Sequence, residues 1–179
     1  MTITLRQARP ADAPAVAALH LRSALRGFAG IFPPDAPACS LEELTADWAA
    51  RLGPDRPAGM VVVVAEQAGT VVGVTTAAPD PSDPDVGQLS RLYVDPGSWS
   101  AGIGSMLHEA GLAHVRALGC REATFWVIEA NTRARSWYER LGCERTGERR
   151  PTCEMAVAVP AGVHDLHYRF RLPADTPRE

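Results

Sequence analysis

Two glycines, Gly102 and Gly104, stand where the segment LYVDPGSWSAGIGSML passes from a strand-like run to a helix-like one. The first turn of a helix leaves backbone N–H groups unpaired and carries partial positive charge. Glycine there lets a ligand approach the backbone closely, and phosphate is the natural guest. Alone the pair is a weak signal, because many helices begin near glycine for turn geometry. A P-loop would need GxxxxGK followed by Ser or Thr, and this chain has no Lys: all 18 of its basic residues are Arg. A dinucleotide fingerprint would need glycine at 107, where Leu107 stands. Its acidic partner, about 20 residues on, has a counterpart in Glu129, so a dinucleotide reading stays open. A kinase glycine loop joins two strands, whereas this one joins a strand to a helix.

Other constellations carry less. HDLH (164–167) places Asp165 and His167 on one strand face, but no third ligand is evident, and no metal is expected. Ser90, Ser98 and Ser136 lack the G-x-S-x-G elbow of a triad nucleophile. RTGERRP (145–151) is a basic cluster interrupted by Glu148 and reads as a solvated strand end.

The elements that must position these residues follow from periodicity and punctuation. ITLRQA alternates from Ile3 as a first strand, and a helix follows Pro10 and Asp12. FAGIFPPDAPAC is a Pro-rich loop with exposed-looking Phe28 and Phe32. SLEELTADWAARLG is a short helix, with a Ser40/Glu43 capping box and a stop at Gly53. Two β-branched runs flanking Gln67-Ala68-Gly69-Thr70 read as a hairpin. After the polar loop PDPSDPD, VGQLSRLYV is the fourth strand, 101–118 a helix ended by Gly119, and REATFWVIE the fifth strand. A short helix over 132–141 ends at Gly142. CERTGERR and HDLHYRFRL are the last strands, with 151–162 as their connector.

The middle of the chain is therefore a β-α-β unit with a right-handed crossover, set between hairpins. The fold expected is α/β of the α+β type. It is a single domain over 1–172, with a mixed, mostly antiparallel sheet of six or seven strands and helices on both faces; 173–179 is expected to be a flexible tail.

LYVDPGSWSAGIGSML, followed at β-α-β distance by FWVIEANTRARSWYERLGCER, resembles the GNAT superfamily of acetyl-coenzyme A-dependent N-acetyltransferases. The first signature of that family is V-x-P, then Q/R-x-x-G-x-G/A opening a helix; here it reads Val94, Pro96, Trp99, Gly102 and Gly104. The second, N-x-x-A-x-x-x-Y-E-x-x-G, reads Asn131, Ala134, Tyr138, Glu139 and Gly142. Trp99 departs from the usual Gln or Arg, and Ser100 and Ala101 replace a frequent Gly-Arg. The resemblance thus implies a pyrophosphate site short of one cation, with weak dependence of affinity on salt.

The resemblance implies an acyl-CoA N-acyltransferase-like fold with the cofactor, acetyl-CoA, in a splay between the fourth and fifth strands. The pantetheine arm pairs with backbone near Leu92, Tyr93 and Val94, and the pyrophosphate lies on Ser100, Ala101, Gly102, Ile103, Gly104 and Ser105, with Asn131 nearby. An amine attacks the thioester directly, a strand amide steadies the oxyanion, and Tyr138 is the implied acid for the leaving thiolate. Asn131 and Tyr138, seven residues apart, project from similar sides of their helix. Packing beside Ala134 and Leu141 is the structural alternative for Tyr138. The base is open: Gln88 occupies the usual Glu position, and Glu129, His164, His167 or a water are the candidates. Strand alternation allows at most one of the two histidines to face the cleft. The acceptor pocket falls to the N-terminal helices, the 28–39 loop and the last hairpin, with Phe28, Phe32 and Trp48 as lining or as core.

Composition bounds the rest. With 46% hydrophobic residues, 22% charged residues and a net charge of −3, the chain reads as an ordinary globular protein with no electrostatic case for nucleic acid or anionic membrane. The four cysteines have no CxxC spacing, which fits reduced thiols in a cytoplasm, Cys120 and Cys143 as small buried hydrophobes. The longest apolar run, MVVVVA, is far short of a membrane span. Monomer and homodimer both remain compatible. The function expected is acetyl transfer to an amine of a small molecule, protein N-terminus or lysine. A non-catalytic acyl-CoA-binding domain on the same scaffold is the alternative.

Overall fold

The computed structural model describes residues 2–154 and 156–173. The tail expected over 173–179 lies, from 174 onward, outside the described residues. The strands are β1 (Ile3–Gln7), β2 (Val61–Gln67), β3 (Thr70–Pro79), β4 (Val86–Val94), β5 (Glu122–Ile128), β6 (Glu144–Pro151) and β7 (His164–Arg171). The α-helices are α1 (Ala13–Gly27), α2 (Leu41–Leu52), α3 (Ile103–Ala117) and α4 (Thr132–Arg140).

Local chemistry accounts for the boundaries. Ser40 Oγ accepts from the Glu43 amide at 3.1 Å while the Glu43 carboxylate accepts from the Ser40 amide at 2.9 Å, closing the capping box on α2. Ala68 and Gly69 both take positive φ, 49° and 77°, as a two-residue hairpin turn with the twist of β2 and β3 requires.

The strands form one sheet in the order β1-β2-β3-β4-β5-β7-β6, and every pairing but β4 with β5 is antiparallel. On one face α1 and α2 cover Val62, Val64, Val74 and Ile128. On the other, α3 and α4 cover Ala77, Leu89, Phe125 and Tyr168. Phe32, expected to be exposed, is 6% accessible and belongs to the first core, because the 28–39 loop folds back over α1 and α2. Cys120 and Cys143 are buried. The sheet is thinned under α3: a Cβ at Gly87 would lie 2.5 Å from Val115 Cβ, and one at Gly73 2.8 Å from Leu107 Cδ1. Glycine at these two points lets the helix rest almost on the strand backbone. No helix of the described residues is long and apolar enough to cross a membrane.

Candidate active site

The parallel pairing of β4 with β5 lasts three residue pairs, from Val86↔Glu122 to Gln88↔Thr124, and then stops. Beyond that point the two strands border a cleft of about 1040 Å³. A β-bulge sits at the same place on the other side of β4. Ala77 faces Leu89 and Thr76 faces Ser90, but Val74 faces Tyr93 and Gly73 faces Val94, so β4 carries one extra residue. Arg91, at the bulge, has φ 53°. Its guanidinium is fixed by Asp47 at 3.4 Å and lies 5.4 Å from the centre of the Trp48 ring.

One inserted residue reverses the strand's facing. Leu89, Leu92 and Val94 pack on the α3 side, whereas Tyr93 packs on the α1 side against His20, at a ring separation of 4.1 Å. Without the bulge, Tyr93 would share the face of Leu89.

Leu92, Tyr93 and Val94 line the cleft, as do Ser100, Gly102, Ile103, Gly104, Ser105 and Asn131. Ala101, expected with them, is exposed on the loop and is not part of the lining. Gly102 is the N-cap of α3 with φ 80°, and it supplies no side-chain cap. The first-turn amides of α3 therefore meet the cleft beside a left-handed residue that glycine adopts without strain. The preceding loop is pinned from α1: Ser23 Oγ donates to the Val94 carbonyl at 2.9 Å and Arg22 pairs with Asp95 at 2.7 Å. Asp95 in turn accepts from the Gly97 amide at 3.0 Å.

Trp99 has a definite role in this loop. Its indole N–H donates to the Val94 carbonyl at 2.8 Å, and its ring carries the guanidinium of Arg133 at 3.8 Å. Trp99 and Arg133 both line the cleft. A guanidinium from α4, belonging to a residue inside the second signature, thus stands on the loop that carries the first. The clue was present in sequence as the Arg of N-T-R-A, but only the packing of α4 against the loop brings it to Trp99.

Asn131 caps α4, its side-chain oxygen accepting from the Ala134 amide at 3.1 Å. Glu139 accepts from the Tyr168 hydroxyl at 2.9 Å and Arg135 donates to the same hydroxyl at 3.2 Å, so α4 is hydrogen-bonded to β7. This fixes Tyr138, half-buried against Phe125 at a ring separation of 4.3 Å and beside His108 at 5.8 Å. Burial pushes the Tyr138 phenol well above its ordinary pKa, so it stays protonated at neutral pH. The same packing pushes His108 down to about 4, leaving it uncharged there.

The candidates for a base separate. The Gln88 amide donates to the Asp80 carboxylate at the cleft wall. Glu129 is exposed and pairs with Arg149 at 2.7 Å, whose hydrogen bond lowers its pKa; it does not line the cleft. His164 Nδ1 engages the Gly162 carbonyl at 2.8 Å and also lies outside the lining. His167 does line it, with Nδ1 2.9 Å from Thr146 Oγ1 and its ring 4.5 Å from that of Trp126. Burial lowers the His167 pKa.

The α1 side of the cleft is walled by Trp126, Arg150, His167, Asp165, Tyr93 and Glu154. Phe28 contributes to the lining as well, whereas Phe32 and Trp48 belong to the core, Trp48 being fully buried. Glu154 lies in the 151–162 segment, read from sequence as a connector only. Its carboxylate accepts from Tyr93 Oη at 2.8 Å, His20 Nε2 at 3.0 Å and the Ala156 amide at 2.9 Å. A single carboxylate between strands leaves no spacing signal in sequence. Its side-chain partners Tyr93 and His20 are 61 and 134 residues away, and only the tertiary fold brings them together.

This geometry agrees with the similarities to known proteins. Residues 21–143 match the acetyltransferase (GNAT) family. A probable N-acetyltransferase of Mycobacterium tuberculosis is 32% identical over 182 residues, covering 98% of this chain and 96% of that one. Mycothiol acetyltransferase of Thermobispora bispora is 40% identical over 93 residues, half of this chain and 31% of its own length, so the chain spans only about a third of that relative. Among solved structures, a putative acetyltransferase of Salmonella typhimurium, yncA, determined with acetyl-CoA, superposes with a TM-score of 0.68 at 19% identity, covering 100% of this chain and 99% of that one. With both signatures in place on a splayed β4/β5 pair, the chain belongs to the acetyltransferase (GNAT) family, a family of acyltransferase enzymes.

Proposed function

We propose that this protein transfers the acetyl group of acetyl-CoA to an amine. The observation that carries the reading is the end of β4–β5 pairing after Gln88, which leaves the backbone of Leu92, Tyr93 and Val94 bordering a cleft beside the α3 N-terminus. An extended pantetheine arm has backbone to pair with there, and a pyrophosphate meets the amides from Ser100 to Ser105, with Asn131 alongside. The Arg133–Trp99 pair adds a cation at the same mouth.

The neutral amine nitrogen forms a bond to the thioester carbonyl carbon and loses a proton to water, the carbon–sulfur bond breaks, and the thiolate takes a proton. A backbone N–H of β4 meets the oxyanion, and Tyr138 supplies the proton to sulfur. The raised pKa of Tyr138 fits an acid that is fully protonated at neutral pH.

Thermal shift with acetyl-CoA, CoA and NAD, together with thiol release from acetyl-CoA across an amine panel, tests this. The panel includes an alkylamine, an amino sugar, a peptide with a free N-terminus and the acceptor of the mycothiol acetyltransferases. Stabilisation by acetyl-CoA and amine-dependent thiol release are expected. Stabilisation by NAD alone would overturn the reading in favour of a dinucleotide site. Stabilisation by acetyl-CoA with no release from any amine would leave a non-catalytic acyl-CoA-binding domain.

A further inference from the structure

We propose that His167 is the base of the transfer: its Nε2 takes, through one water, the proton that the acceptor nitrogen gives up as it forms the amide. The assignment rests on the acetyl-transfer reading and adds to it the group that finally holds this proton.

Strand register sets the place of His167. Thr76 of β3 faces Ser90 of β4, and Trp126 of β5 faces His167 of β7. Ser90 and Trp126 each lie two residues past Gln88 and Thr124, the last pair that joins β4 to β5. The four residues therefore form one row across the sheet, interrupted where the strands part. Their chain neighbours Ala77, Leu89, Phe125, Val127, Leu166 and Tyr168 pack under α3 and α4, so the row faces α1. Ser90, Trp126 and His167 all line the cleft. A pantetheine arm that starts at the α3 amides and runs along β4 from Val94 toward Leu92 brings its thioester end toward this row. His167 stands one strand, about 4.8 Å, beyond the strand that borders the splay, within reach of the reacting nitrogen through one water.

The hydrogen on the imidazole can be assigned from its contacts. Nδ1 lies 2.9 Å from Thr146 Oγ1 and 3.5 Å from a carboxylate oxygen of Glu148, both on β6. A carboxylate only accepts, so the hydrogen belongs on Nδ1 and Nε2 is bare. In the sheet β6 lies on the far side of β7 from β5, so the engaged nitrogen is turned away from the splay and Nε2 is left to the cleft. Among the described residues Nε2 has no hydrogen-bond partner. The Trp126 ring, 4.5 Å away, backs the imidazole, and only 14% of the side chain is exposed.

The charged groups around His167 leave it the base of this wall. Burial lowers its pKa, with Arg150 of β6 adding to the effect and Glu148 of β6 and Glu122 of β5 opposing it. Arg150 is itself stacked on Trp126 at 4.1 Å and paired with Asp165 at 3.5 Å. The imidazole is thus in its basic form at neutral pH. Asp165 and Glu154, on the same wall, already accept from Thr152 and from Tyr93. A carboxylate, with an ordinary pKa of about 4, is also a poorer base than an imidazole at about 6.5. The proton balance closes. Attack by the neutral amine leaves its nitrogen cationic. That nitrogen gives a proton to the water as the water gives one to Nε2, the carbon–sulfur bond breaks, and Tyr138 protonates the sulfur. Imidazolium and phenolate remain, and one proton passed between them through solvent restores both.

The test follows a single turnover at saturating amine. In His167→Gln its rate should fall on the order of a hundredfold, with Tm and the KM for acetyl-CoA near wild type. The wild-type rate should drop as pH falls through a midpoint below about 6.5, and His167→Gln should lose that limb. A titration of the amine itself appears in both proteins, so the limb that disappears belongs to His167. In His167→Ala, added imidazole should raise protein-dependent amide formation at least about tenfold. Should the Ala variant melt early, the Gln variant, closer in size, carries the comparison. A rate within about threefold of wild type in His167→Gln, or an acid limb that persists there, would overturn the base alone and leave the proton with bulk water. A slow His167→Gln that has also lost its stabilisation by acetyl-CoA would overturn it too, His167 then being structural. A wild-type protein that acetylates no amine would overturn the acetyl-transfer reading, and the base with it.

Discussion

The guanidinium of Arg133 lies 3.8 Å from the centre of the Trp99 indole, joining the first turn of α4 to the loop that opens α3. Trp99 stands where the first signature usually has Gln or Arg. The fold brings the guanidinium of Arg133 to this loop from 34 positions along the chain, with Trp99 as its platform.

Arg133→Ala should therefore weaken acetyl-CoA binding. Arg133 is exposed, so the loss should be modest, about 0.5–1 kcal/mol or two- to fivefold in Kd. Titration calorimetry over a range of salt concentrations checks it. The wild-type affinity should fall with salt and the variant's should fall less steeply; parallel salt curves would show that Arg133 does not reach the phosphates.

Tyr138→Phe should lower kcat on the order of a hundredfold, the usual scale for a lost acid, with acetyl-CoA binding unchanged. The ring packing against Phe125 and His108 survives the substitution, so folding should be unaffected. The pH dependence has a definite sign. Burial raises the phenol's pKa, so its proton is retained through the neutral and mildly alkaline range. Wild-type kcat should show no alkaline fall due to this group below a pH of about 10. Rapid-quench and steady-state rates with a fast amine from the panel measure both effects; unchanged kcat in Tyr138→Phe would remove it from the chemistry.

Gly87→Ala should destabilise the fold although Gly87 itself brings no side chain to the site. Its new methyl would meet Val115 of α3 at 2.5 Å, a distance that forces helix and strand apart. A cost of about 1–3 kcal/mol is expected, lowering Tm by several degrees. Since the proposed pyrophosphate site lies on the first turn of α3, the stabilisation by acetyl-CoA should shrink as well. Gly27→Ala is the control: nothing lies within 4 Å of the added methyl, and Tm should hold or rise. Equal behaviour of the two variants in thermal melts would refute the close-packing account.

By itself the sequence determined the order of elements and the side of the cleft that carries both signatures. Val94 to Ser105 and Asn131 to Gly142 are local signals, a strand, a glycine turn and two helix starts, and such features are set by neighbours in the chain. Their spacing is enough to place the α3 amides, Asn131 and Tyr138 on one β-α-β unit. The α1 side of the cleft was decided only by the tertiary structure. A single bulge at Arg91 reverses the facing of Tyr93, and the 151–162 connector folds back so that Glu154 meets Tyr93 and His20. Strand parity depends on the register with β3, and buried polar contacts depend on packing between elements far apart in the chain. Neither leaves a period or a motif, so Phe32 and Trp48 looked as eligible for the pocket as for the core they occupy.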